Sequence, residues 1–287
     1  MIRTLSILLL YFLSTSFSDA QFNFPNLSPH THLKQQVGYT NIELRYDRPA
    51  ARGRKIFGGL VPYDKIWRTG AAEATTLSFD QAVEIEGKKV KAGTYALFTI
   101  PHEDYWELIL NSDADQYGAY GHNPKLDILR VTAPTQTLND FQESLTLSFD
   151  FIPNDAILSI VWAKTKVAFK ISTGTNEEVS HFIKDSLLTE LSLDSDLYAN
   201  GASFMLTHHQ SLDTALVLAN KSLAMNETEY GHHTKMKILR LLGRNDEANK
   251  EINAALSFIR NHPHYSENDK KISTQEWVKE LEKENTN

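Results

Sequence analysis

The sequence predicts an α+β protein in which the two kinds of structure are segregated. An antiparallel β-sandwich or jelly-roll-like domain occupies residues 35–172, and an α-helical region of hairpins occupies 173–287. Two observations carry this. From Gln35 to Ile171 apolar residues recur with a period of two, between short turns rich in Gly, Pro and Asn. After Thr173-Gly174 they recur at helical spacing. A chain of 287 residues is long enough for two ordinary domains.

Taken in order, the first residues carry the pattern of a secretory signal. Arg3 supplies a positive start, Ile7 to Phe17 an apolar run broken only by small hydroxyl residues, and Ser18-Asp19-Ala20 a small-x-small site before Gln21. The run is shorter than the roughly 20 residues of a spanning helix. The expectation is cleavage after Ala20, a secreted or periplasmic mature chain, and no stable membrane insertion afterwards. The sequence has no cysteine, so the exported chain is held by its cores without disulfides. A net charge of −7 argues against nucleic acid as a partner, which calls for a basic face. Residues 21–34 are polar and read as a leader, with His30 and His32 as exposed loop histidines.

The strand pattern starts with Ile42, Leu44 and Tyr46 alternating with Glu43 and Arg45. Val83 and Ile85 run into a turn at Glu86-Gly87. Tyr95 to Ile100 is apolar on both faces, which places it centrally with Leu97 and Phe98 on opposite sides of the sheet. Leu145, Leu147, Phe149 and Phe151 alternate most cleanly, and Ile157–Trp162 and Val167–Ile171 close the series.

In the second half Thr175 with Glu178 reads as a capping box ahead of Val179, Phe182, Ile183 and Leu187. Ser211 starts a helix, another ends at Leu242-Gly243, and Asn245–Arg260 carries Ala248, Ile252 and Ala255 on one face. Ser273 with Glu276 reads as the cap of a last helix holding Trp277 and Leu281. The segment LLGRNDEANKEINAAL resembles the turn and second helix of a tetratricopeptide unit, and Ala215 stands 33 residues before Ala248, near that repeat's length. Two readings stand here: hairpins that dock a protein partner, or helices packed on the β domain.

The candidate site is the stretch Arg45–Thr75, the least strand-like part of the β half. Between Arg45 and Lys55 five basic residues stand against one Asp, in an acidic chain. Arg48, Arg52, Arg54 and Arg68 are candidates for an anion, because guanidinium forks bind oxyanions in pairs of hydrogen bonds. Trp67 is expected behind Arg68, with Glu73 orienting it. The competing reading makes these arginines braces for loop carbonyls, with Arg68 paired to Glu73. Trp67, Tyr63, Tyr95 and Trp106 offer an aromatic platform for a sugar, against their alternative as core.

No cofactor and no metal are expected. Asp113–Gly118 starts like a calcium loop, but Tyr117 takes the third ligand position and Pro124 the closing one. Adjacent histidines at 208–209 and 232–233 point about 100° apart on a helix. No nucleophile elbow or phosphate loop occurs. The preferred function is a non-catalytic binding module for an anionic or saccharide ligand. The alternatives are a scaffold acting through the helices and a hydrolase with Arg68 and Glu73 in its site.

The motif RPAARGRKIFGGLVPYDKIWRTGAAEAT, followed by KAGTYALFTIP, Trp106 and the loop from Gly118 to Tyr120, resembles the secreted bacterial family catalogued as domain of unknown function 2911 (DUF2911), over residues 28–172. The resemblance implies a helical C-terminal extension and brings no activity or catalytic residue. The family pattern W-R-x-G-A-N-E-A-T carries Asn where this chain has Ala72. If that Asn contacts a ligand, this chain lacks the contact.

Overall fold

The alternation along Thr40–Asp47 (β2) becomes a strand with Ile42 and Leu44 buried inward and Glu43 and Arg45 outward. The computed structural model describes residues 24–189 and 194–282, so the expected signal segment and its cleavage site lie outside the described residues. Before β2 comes β1 (His30–Val37), and after it β3 (Ala71–Phe79), the hairpin β4 (Val83–Ile85) and β5 (Lys88–Val90), then β6 (Gly93–Pro101) and β7 (Tyr105–Asn111). The long strands β8 (Asp127–Ile152) and β9 (Asp155–Ser172) complete one antiparallel sheet in the order β1–β2–β3–β6–β7–β8–β9–β4–β5.

Strand β8 lets this sheet fold over. Its residues 127–134 pair with β7 and its residues 135–152 with β9. The change of partner falls at Pro134-Thr135, and register shifts between Thr137 and Thr146 bend the strand. The two halves of the sheet therefore share one core: Ile42, Leu44, Leu77 and Leu108 pack with Leu147, Leu158, Ile160 and Phe169. Trp67 stacks on Trp162 at 5.9 Å and meets Trp106 edge-on at 6.1 Å. The β4–β5 hairpin turns on Glu86 and Gly87, both at positive φ (48° and 75°), the pair a type I′ turn requires. It leaves the chain between β3 and β6 and adds itself to β9 on the far half. Central β6 is buried on both sides, with Leu97 in the main core and Phe98 in a smaller outer one with Ala74, Ala96 and Ile109.

The chain then turns helical: α1 (Thr175–Phe182) and a π-helical turn (Ile183–Leu187), then α2 (Ser195–Thr207), α3 (Leu212–Met225), α4 (Glu229–Leu241), α5 (Asn245–Asn261) and α6 (Glu267–Glu282). These helices bury a core of their own around Tyr198, Leu218, Met236, Ile252 and Trp277. The junction with the sheet is polar. Tyr39 N–H donates to Thr175 Oγ1 at 3.1 Å, and Asn154 Nδ2 donates to Asn176 Oδ1 at 2.8 Å. The expected order of an antiparallel β half followed by helices is observed.

Four local expectations change. The polar leader ends early, because His30–Val37 is an edge strand whose histidines pair across to β2, His30 with Asp47 and His32 with Glu43. Thr175 is not a cap: Gly174 occupies that position, and the Thr175 hydroxyl accepts from Tyr39. Helix α6 begins at Glu267, where Ser266 and Asp269 cap each other's backbone N–H groups, and Ser273 lies inside it. Helix α2 has no counterpart in the sequence reading. Gly201 lies in its middle, packed too closely on Leu187 and Leu218 for a side chain to fit without displacement.

Candidate functional site

After β2 the chain runs along the free edge of β8. Ala51 N–H donates to Glu143 O, and Leu145 N–H donates to Pro49 O. The arginines of this segment are used at the seam. Arg48 donates to Leu145 O at 2.9 Å and Thr146 Oγ1 at 2.8 Å. Arg52 donates through its guanidinium to Leu27 O at 2.7 Å, and Arg54 donates to Ala51 O and Ala50 O. Each of the three thus holds backbone of its own.

Further along, residues 64–67 pair with the end of β6, Trp67 and Thr99 exchanging both backbone hydrogen bonds. Successive residues of such a segment face opposite ways. Trp67 enters the main core, its Nε1 donating to Gly70 O at 3.1 Å, while Ile66 joins the outer core. Trp67 therefore belongs to the core cluster with Trp106 and does not sit behind the Arg68 guanidinium. Nor does Glu73 orient it: the Arg68 guanidinium has no hydrogen bond or ion pair among the described residues, and its Nε is buried without an acceptor. Glu73 is exposed and stands apart, its backbone bridged to Tyr117.

Glu73 instead borders a groove of about 820 Å³ on the outer face of the sheet. Strand register builds its floor in rows. Lys34, Glu43, Ser78 and Thr94 lie side by side on β1, β2, β3 and β6. Ala114–Tyr117 forms a wall, where the Tyr117 side chain is 69% exposed. Neighbours fix the polar groups: Lys34 meets Glu43 at 3.2 Å, and Ser78 donates to Thr94 at 2.9 Å. Asp80 accepts from the Asn41 N–H and Nδ2, and His30 contacts the buried Asp47. Hydrogen bonds from Lys34 and His32 lower the pKa of Glu43, and those from Asn41 lower that of Asp80. Both are ionised acceptors at neutral pH. Five carboxylates line the groove (Glu43, Asp47, Glu73, Asp80 and Asp115) against Lys34 and Arg45.

Of the sequence candidates only Glu73 borders this groove; Arg48, Arg52, Arg54, Arg68 and Trp67 do not. What the sequence reading missed is the floor itself, whose one signal was the run of outward polar residues on β2 and β3. Among the described residues no group of three or more His, Asp and Glu is arranged to hold a metal ion. No helix there is long and apolar enough to cross a membrane.

The family described as protein of unknown function (DUF2911) matches residues 28–171. The chain belongs to the DUF2911 family. The DUF2911 match takes in the seam, the groove and its wall, and ends one residue before β9 does, leaving the helices outside it. No curated protein and no solved structure matches the chain.

Proposed function

We propose that this chain is an exported, non-catalytic binding protein whose β half takes a saccharide in the groove over β1, β2 and β3. One observation carries the reading: the groove is a wide hydrogen-bonding floor whose polar groups are already held in position by one another. Sugar hydroxyls need donors and acceptors at fixed places, and preorganised side chains lose little entropy when a ligand arrives. Tyr117 offers a ring face to the C–H side of a pyranose. For the groove itself an anion is the poorer fit, because its carboxylates outnumber its cations. The secretory pattern supports export.

Calorimetric titration of the full chain with neutral oligosaccharides tests this. The expected result is binding that Tyr117→Ala and Asp80→Ala each weaken by about tenfold, or ~1.4 kcal/mol, with the sugar recovered intact. Unchanged affinity in both variants, or a hydrolysed sugar, would overturn the reading.

A second reading, a tetratricopeptide-like scaffold, is favoured by one measurement. The starts of α2 and α4 are 34 residues apart, and those of α3 and α5 are 33 apart. Two stacked hairpins of that period present exposed Tyr230 and Leu241 to a protein partner. On this reading Leu241→Asp abolishes the capture of a partner while Tyr117→Ala leaves it intact.

A further inference from the structure

Arg48, Arg68 and Arg240 are the part-buried arginines among the described residues. Arg48 has its carbonyl and hydroxyl at the seam, and Arg240 has Glu280. Arg68 has no partner. Its Nε is shut away from water, whereas its terminal nitrogens reach solvent. A half-buried cation with an orphaned donor costs the fold stability, and its solvent-reaching terminal nitrogens stay free to meet an anion.

The surroundings describe that anion's seat. Gly118, at φ 70°, hydrogen-bonds to Ala72 O and passes beside the guanidinium. A Cβ on Gly118 would lie 3.9 Å from Arg68 Nη1 and 2.8 Å from the Tyr120 ring, so the cation and the ring flank the same glycine. The Tyr120 side chain is 90% exposed. No carboxylate is paired to the guanidinium to compete for it.

We propose that Arg68, Gly118 and Tyr120 form an oxyanion site for a small carboxylate- or phosphate-bearing ligand, distinct from the saccharide groove. The guanidinium fork takes two oxygens of the anion, and Tyr120 covers the body that carries it. This site stands whether or not the groove binds sugar.

The test is a set of titrations of the full chain in chloride buffer with inorganic phosphate, with glucuronate and with glucose. Glucose reports the groove, and phosphate and glucuronate report the new site. The expected result is that phosphate, glucuronate or both bind the parent protein, that Arg68→Met weakens this at least tenfold, and that Tyr117→Ala leaves phosphate binding unchanged. Binding of phosphate alone assigns a phosphoryl ligand, and binding of glucuronate alone a sugar acid whose affinity Tyr120→Ala also reduces. A second readout separates a site from a brace. Removing an unpartnered donor relieves strain, so Arg68→Met without ligand is expected to melt at or above the parent, by about 2–4 °C if the orphan Nε costs what such groups do. The proposal fails if neither anion binds the parent, if Arg68→Met binds them equally well, or if Arg68→Met melts well below the parent.

Discussion

Ala72 holds φ at 47°, in the left-handed region where a Cβ costs about 1–2 kcal/mol. Asn, the residue that the resemblance implies at this position, is among the few side chains that tolerate this conformation. Ala72→Asn is therefore expected to stabilise the protein by about 1 kcal/mol, visible as a rise of a few degrees in Tm, with ligand affinities unchanged. A changed affinity with an unchanged Tm would make the Asn a ligand contact instead. Other residues were legible to different degrees. The size of Trp67, Trp106 and Trp162 marks them for a core, where they meet. The roles of Arg48 and Arg52 were hidden, because sequence displays charges and not the carbonyls that meet them, here 97 residues ahead at Leu145 and 25 behind at Leu27. Arg68 gives no sequence signal that separates it from its braced neighbours.

Among the elements, the α4–α5 hairpin carries a buried charge network with a definite pH response. His232 Nδ1 lies 2.5 Å from Glu251 and its Nε2 lies 3.0 Å from Glu227, while Lys235 meets Glu251 at 2.6 Å. Burial works to lower the His232 pKa, but the carboxylates of Glu251 and Glu227 outweigh it and the net shift is upward from 6.5. Burial works to raise the pKa of Glu251, but His232 and Lys235 outweigh it and the net shift is downward from 4.5. The His232 contribution is thus complete below 6.5 and lost as pH rises through the raised value. That of Glu251 is present above 4.5 and lost as pH falls through the lowered value. The network is firmest between the two. The melting temperature is expected to fall more steeply in the parent than in His232→Gln as pH climbs from weakly acid to alkaline; parallel curves would contradict this. Legibility also follows element type. Strands with one wet and one dry face, such as β2, declare themselves by alternation. Strand β1 does not, since an edge strand carries polar residues on both faces and reads as a loop. Helix α2 does not either, since Gly201 and its low amphipathicity break the pattern that α5 displays.

At the scale of the molecule, two cores meet across a polar junction, and the groove of the β half starts at Asn41 and Asp80, close to the junction's Tyr39, and runs from there toward Ala114–Tyr117. The segregation into a β half and a helical half was legible because the hydrophobic period changes once, at Thr173-Gly174. The groove was not, because its floor is assembled by register: Lys34, Glu43, Ser78 and Thr94 become a row only when four strands are aligned. Singly, such residues look like any solvated face. The most direct test of the binding reading is therefore positional. Amide chemical shifts of the full chain, isotope-labelled and titrated with a neutral oligosaccharide that binds it, are expected to move along β1, β2 and β3 and at Ala114–Tyr117 while the helices stay still. Shifts confined to the helices, or spread evenly over both halves, would contradict it.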